Sequence, residues 1–139
     1  MKRLHGLVLL IVTGLALAAD LPRSTAPADA RVYIISPLDG ATVSSPVTVR
    51  FGLRGMGIAP AGMQMEGTGH HHLLIDVELP PLDQPVPADE RHLHFGKGQT
   101  EAVVQLAPGR HRLQLLLADH LHIPHQYPVV SAPISITVR

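Results

Sequence analysis

After about residue 30, apolar and polar positions alternate with a period of two over most of the chain. Arg31–Ser36 (RVYIIS) is a β-branched run closed by the turn signal Pro37-Leu38-Asp39-Gly40. Pro46–Leu53 sets Val47, Val49, Phe51 and Leu53 against Thr48, Arg50 and Gly52, the pattern of a half-buried strand. His70–Leu79 puts His71, Leu73, Ile75 and Val77 on one face and His70, His72, Leu74, Asp76 and Glu78 on the other. His92–Phe95 turns Leu93 and Phe95 inward and leaves His92 and His94 together outside. Gln99–Leu106 and His111–Leu117 flank Ala107-Pro108-Gly109-Arg110, a hairpin signal, and Ile134–Val138 is a last strand. Arg54–Gly69 is a long Gly-rich loop, Pro80–Asp89 is Pro-rich and irregular, and Asp119–Tyr127 is a His-rich loop. No segment keeps a convincing helical period. The pattern predicts an all-β fold: a single immunoglobulin-like β-sandwich of about seven strands over residues 31–139.

The chain before residue 31 reads differently. Lys2 and Arg3 precede an apolar stretch from Leu7 to Leu17, followed by Ala16-Leu17-Ala18. That is the order of a secretory signal peptide, residues 1–18, with cleavage expected after Ala18 and a periplasmic or secreted product. The apolar stretch falls short of the roughly 20 residues a membrane span needs, and no later segment is more apolar, so no span is expected after cleavage. Residues 19–30 are Pro/Ala-rich without periodicity and read as a flexible linker.

Composition narrows the chemistry. The 139 residues carry 11 Lys+Arg, 11 Asp+Glu and 10 His, with no Cys and no Trp. A neutral chain poor in aromatics gives no footprint for nucleic acid. The missing Cys excludes disulfides, thiolate metal ligands and a Cys nucleophile. Loss of the signal peptide would remove Lys2, Arg3 and His5, leaving a slightly acidic domain whose histidines all lie between His70 and His125.

Eight of them form three clusters: His70-His71-His72, then His92 and His94, then His120, His122 and His125. On a strand, residues i and i+2 share a face about 6.5–7 Å apart, so His70 with His72, and His92 with His94, can aim one way. Two such strands, paired, offer four imidazoles on one surface, with His71 turned away. Neutral imidazole suits copper and zinc, and a thiolate-free site favours Cu(II) or Zn(II). Met56, Met63 and Met65 precede the triple His; thioethers suit Cu(I), though methionine more often fills apolar gaps. Asp76 and Asp119 are candidates to orient imidazoles, or simply to close turns. His111, after a hairpin turn and without a neighbouring His, reads as structural.

The reading this supports is an exported protein that binds a transition metal, copper first and zinc second, for sequestration or delivery. Ligands would come from two strands and a loop at one end of the sandwich, and affinity would fall below about pH 6 as imidazoles protonate. Two alternatives remain. One is a non-metal interaction module for an envelope protein partner, with structural or pH-sensing histidines. The other is a metal-dependent oxidoreductase; no hydrolase elbow, phosphate loop or HExxH motif is present to support other catalysis.

The segments ISPLDGATVSSPVTVRFGLRGMGIAPAG, GTGHHHLLID, HLHFGKGQTE, LAPGRHRLQLLLADHLHIPH and PVVSAPISITV resemble the exported bacterial family known as domain of unknown function 4399. The resemblance runs from Val32 to Val138 and implies an exported single domain, with no activity attached. His70, His71, His72, His92, His94, His120, His122 and His125 match the family's His motifs, while Met63 and Met65 stand where its loop is more polar.

Overall fold

The structure, a computed structural model, describes residues 21–139; the signal peptide expected at residues 1–18 lies outside them. In chain order the strands are β1 (Arg31–Ser36), β2 (Thr42–Val43), β3 (Val47–Arg54), β4 (Gly57–Ile58), β5 (Thr68–Ile75), β6 (His92–His94), β7 (Glu101–Val104), β8 (Gly109–Ala118), β9 (Pro124–Val130) and β10 (Ile134–Val138). Among the described residues there is no helix. One sheet is three-stranded, in the order β1-β3-β7. The other runs β2-β10-β8-β5-β4, with β6 paired to β5 and β9 to β8.

The two sheets pack as an all-β sandwich. Val32, Val49, Phe51 and Val104 of the small sheet meet Leu73, Leu113, Leu115, Leu117 and Ile136 of the large one, all buried in one apolar cluster. These are the inward positions set by the period-two pattern. Each such side chain contributes about 1.5–3 kcal/mol by leaving water, which matters in a domain without disulfides.

The large sheet departs from simple alternation. In β5 every residue after Thr68 is buried, so both faces are covered. Leu73 and Ile75 enter the main core, while Leu74 joins a second cluster with Val86, Leu116 and Ala118. The Pro-rich segment that carries Val86 folds over the outer face, where a half-exposed strand would have met solvent. The strand also stops at Ile75 rather than Leu79, because Asp76 takes a left-handed conformation (φ 55°) that breaks the pleat.

Two segments read as loop or linker have defined placements. The expected loop Asp119–Tyr127 contains the start of β9, whose Pro124 pairs with Ala118 after a register shift. Residues 21–30 lie along the same region: the Arg23 side chain donates to the carbonyls of Pro124 (3.1 Å) and His125 (2.7 Å), and Gln126 N donates to Ser24 O at 2.8 Å. Ala26 and Ala30 are buried in the main core. Small side chains let this stretch pack closely, which its lack of periodicity did not reveal.

Candidate metal centre

The β5–β6 register places the site. His72 stands opposite His94, Leu73 opposite Leu93 and Leu74 opposite His92. Partners across an antiparallel pair share a face, so His94 joins His70 and His72 on the outer face of the large sheet. The fourth imidazole comes from the loop between β8 and β9. His122 sits there with φ 65°, held by the carboxylate of Asp119. Asp119 Oδ1 accepts from Leu121 N (2.9 Å) and Ile123 N (3.1 Å), and its Oδ2 accepts from Ser24 Oγ (2.8 Å). Val86 N donates to His122 O at 2.8 Å, tying the covering loop to the same residue.

His70, His72, His94 and His122 each offer a ring nitrogen, and these four atoms all lie within 4.8 Å of one another. Ring centroids are 4.7 Å apart for His94–His122, 4.8 Å for His70–His72 and 4.9 Å for His70–His94. His70 Nε2 and His122 Nδ1 are 3.2 Å apart, so one ring donates to the other. His70 and His72 are each 1% exposed, and the Nδ1 of each has no hydrogen-bond partner.

Burial and mutual repulsion favour the neutral form of His70, His72 and His94. Burial lowers the His70 pKa to about 4, with the neighbouring His94 and His122 pushing the same way. Burial lowers His72 further, to about 2, helped by His70, His94 and His122. His94 is lowered by its partial burial and by His122. A group of close imidazoles cannot share several protons without repulsion, and neutral imidazole is the form that ligates. Space is also reserved beside the cluster: a Cβ on Gly96 would come within 2.6 Å of His94 Nε2 and 3.1 Å of Ala61 Cβ.

The remaining His candidates go elsewhere. His71 points into the main core, its ring 5.1 Å from that of Phe51, with neither ring nitrogen hydrogen-bonded; burial lowers its pKa to about 4. Its place in the strand pattern, facing away, is the reason it is not with its neighbours. His92 shares the outer face but is one pair too far along, and its Nδ1 is 2.8 Å from Asp89 Oδ1. His125 is buried with Nε2 3.3 Å from Thr68 O, and burial lowers its pKa. His120 lines a separate cavity of about 280 Å³ with His125, Met65 and Asp119. Strand geometry cannot bring His120 and His125 to the cluster, because Asp119 curls the loop so that only His122 projects there. Met56 packs on the main core, whereas Met63 and Met65 are about half exposed (50% and 55%).

His111 has the structural role its isolation suggested. Its Nδ1 lies 2.7 Å from Asp76 Oδ2 and its Nε2 lies 2.8 Å from Ala107 O. Both partners are acceptors, so the protonated ring suits both; the Ala107 contact, then Asp76, raises its pKa. Asp76 also accepts from Arg112 N at 2.7 Å, which holds its carboxyl below the ordinary range against the opposing effect of burial.

Fold and cluster together define a β-sandwich that carries four convergent imidazoles on the outer face of its larger sheet. The chain belongs to the family described as Domain of unknown function (DUF4399), which it matches over residues 49–139, a span that includes all four of these histidines. No curated protein and no solved structure matches it.

Proposed function

We propose that this is an exported protein that holds one transition-metal ion, copper first and zinc second, for sequestration or delivery. The observation that supports this is the convergence of the His70, His72, His94 and His122 ring nitrogens within 4.8 Å of one another. Four neutral imidazoles are an ordinary donor set for borderline divalent ions, and among these Cu(II) binds nitrogen most tightly. A tetrahedral zinc site with bonds of about 2.0–2.1 Å needs nitrogens about 3.3–3.4 Å apart. Opposite ligands of a tetragonal copper ion are about 4 Å apart, nearer the upper limit seen here. His70 and His72 are fixed by burial on β5, while His94 is exposed on the short β6 and His122 rides on a loop, so half of the donor set is in place before an ion arrives.

The pH-sensing alternative loses ground on the same geometry. Burial and mutual repulsion move protonation of His70 and His72 below the range in which a free histidine switches.

The test is metal titration of untagged protein spanning residues 19–139, followed by calorimetry and elemental analysis. One equivalent of Cu(II) or Zn(II) is expected, and it should be lost in His70→Ala/His72→Ala and kept in His92→Ala. Absence of stoichiometric metal in the parent protein would overturn the proposal.

A further inference from the structure

The four rings do not enclose their centre evenly. His72 and His122 are the most widely separated pair, with centroids 6.2 Å apart, against 4.7–5.2 Å for the others. A cavity of about 280 Å³ lies on that side, lined by His72, His94, His122, Pro85, Val86 and Ala88. His70, the fourth member, does not line it. Three of the four candidate ligands therefore wall one cavity, and its remaining walls are the apolar side chains of the Pro85–Ala88 segment. The segment is fixed rather than loose, because Val86 is buried and its N–H donates to His122 O at 2.8 Å.

Building on the metal reading above, we propose that this cavity admits a small exogenous ligand to the bound ion, at a coordination position between His72 and His122. The volume exceeds one water's share of about 30 Å³ several times over, so the position is not limited to solvent. An apolar wall penalises strongly hydrated anions such as sulfate or phosphate, because they leave water without replacement hydrogen bonds. The fitting class is a weakly hydrated pseudohalide of two or three atoms, such as azide, cyanate or thiocyanate, which adds to a divalent ion without any change of oxidation state. The metal contributes the bond, and Pro85, Val86 and Ala88 contribute the selection by size and polarity.

Azide is a direct probe. The Cu(II)-loaded protein is titrated with azide and, separately, with sulfate, while the azide-to-copper charge-transfer band and the copper electron paramagnetic resonance spectrum are followed. The expected result is a saturable azide band with no response to sulfate. Ala88→Trp, at the exposed rim, and Val86→Phe, within the wall, should each weaken azide binding at least tenfold with copper stoichiometry unchanged. Copper bound at one equivalent with no azide response overturns the inference and leaves the metal reading standing. So does an azide affinity that neither variant moves. Failure of the parent protein to bind copper or zinc overturns the metal reading itself, and this inference with it.

Discussion

His94 lies directly across the β5–β6 ladder from His72, with ring centroids 5.2 Å apart and the two rings tilted by 40°. One is buried and on a long central strand; the other is on a strand of three residues and exposed to solvent. The pair joins a buried candidate ligand to an exposed, adjustable one. His94→Ala should therefore lower metal affinity by at least about 100-fold, the scale at which ligand support acts, with little loss of stability. His72→Ala should lower both. Calorimetric metal titration alongside thermal unfolding separates the two outcomes.

Gly96→Ala tests the space beneath that adjustable ring. The added Cβ would fall 2.6 Å from His94 Nε2, and the ring can swing away because it is exposed. Unfolding free energy should change by less than about 1 kcal/mol, as for a surface substitution, while metal affinity falls tenfold or more. Gly69→Ala is the contrasting case: there the new Cβ meets the Ala118 carbonyl at 2.7 Å, which is backbone, so the fold itself loses about 1–3 kcal/mol.

Asp119 acts on the cluster through the loop it shapes. Asp119→Ala removes the acceptor for Leu121 N, Ile123 N and Ser24 Oγ together. A loss of about 2–4 kcal/mol is expected from several bonds to one charged group, with metal affinity reduced through misplacement of His122. Asp119→Asn, which keeps an oxygen acceptor for Leu121 N and Ile123 N, should recover most of the affinity, as calorimetric metal titration would read.

His71 gives a prediction of opposite sign. Its two ring nitrogens are buried without partners beside Phe51. Replacing it with Leu removes an unsatisfied polar group and keeps an apolar shape, so His71→Leu should be neutral or stabilising by up to about 2 kcal/mol. Metal stoichiometry should not change. Chemical denaturation of the metal-free protein reads the first effect and calorimetry the second.

The pH dependence of the metal-free domain follows from His70 and His71, both held near pKa 4 by burial against 6.5 when exposed. Their contribution is fully present above pH 6.5 and is lost as the pH falls toward 4, because the unfolded chain takes up the protons first. The slope is about 1.4 kcal/mol per pH unit for each such imidazole. His111 runs the other way, since its pKa is raised: its contribution is present below 6.5 and fades as the pH rises through its folded value. Denaturation midpoints from pH 4 to 8 should thus fall steeply on the acid side. Metal binding should also persist to more acidic pH than the threshold near 6 expected for ordinary imidazoles.

Much of this was legible from alternation alone. The inward positions of β3 and β8, the pairing of His70 with His72 on one face and the reversal of His71 all follow from a period of two. The sequence period also put His92 and His94 on one face, but it could not supply register. Register decides that His94 meets His72 while His92 slides past to Asp89. His122 was visible only as one of three loop histidines, because its selection depends on Asp119 turning the chain into a left-handed conformation at that residue. The burial of both faces of β5 was hidden for a related reason. Its cover comes from the Pro-rich segment around Val86, which follows β5 closely but has no period of its own to show that it folds back over the strand.

The bond from Ser24 Oγ to Asp119 spans 95 positions, and Arg23 reaches 101 and 102 positions to Pro124 and His125. In the order of synthesis, the residues that brace the His122 loop emerge early and wait for almost the whole chain before their partners exist. The brace on the His122 loop therefore needs nearly the whole described chain to be present, whereas the pairing of His72 with His94 needs only the residues through β6.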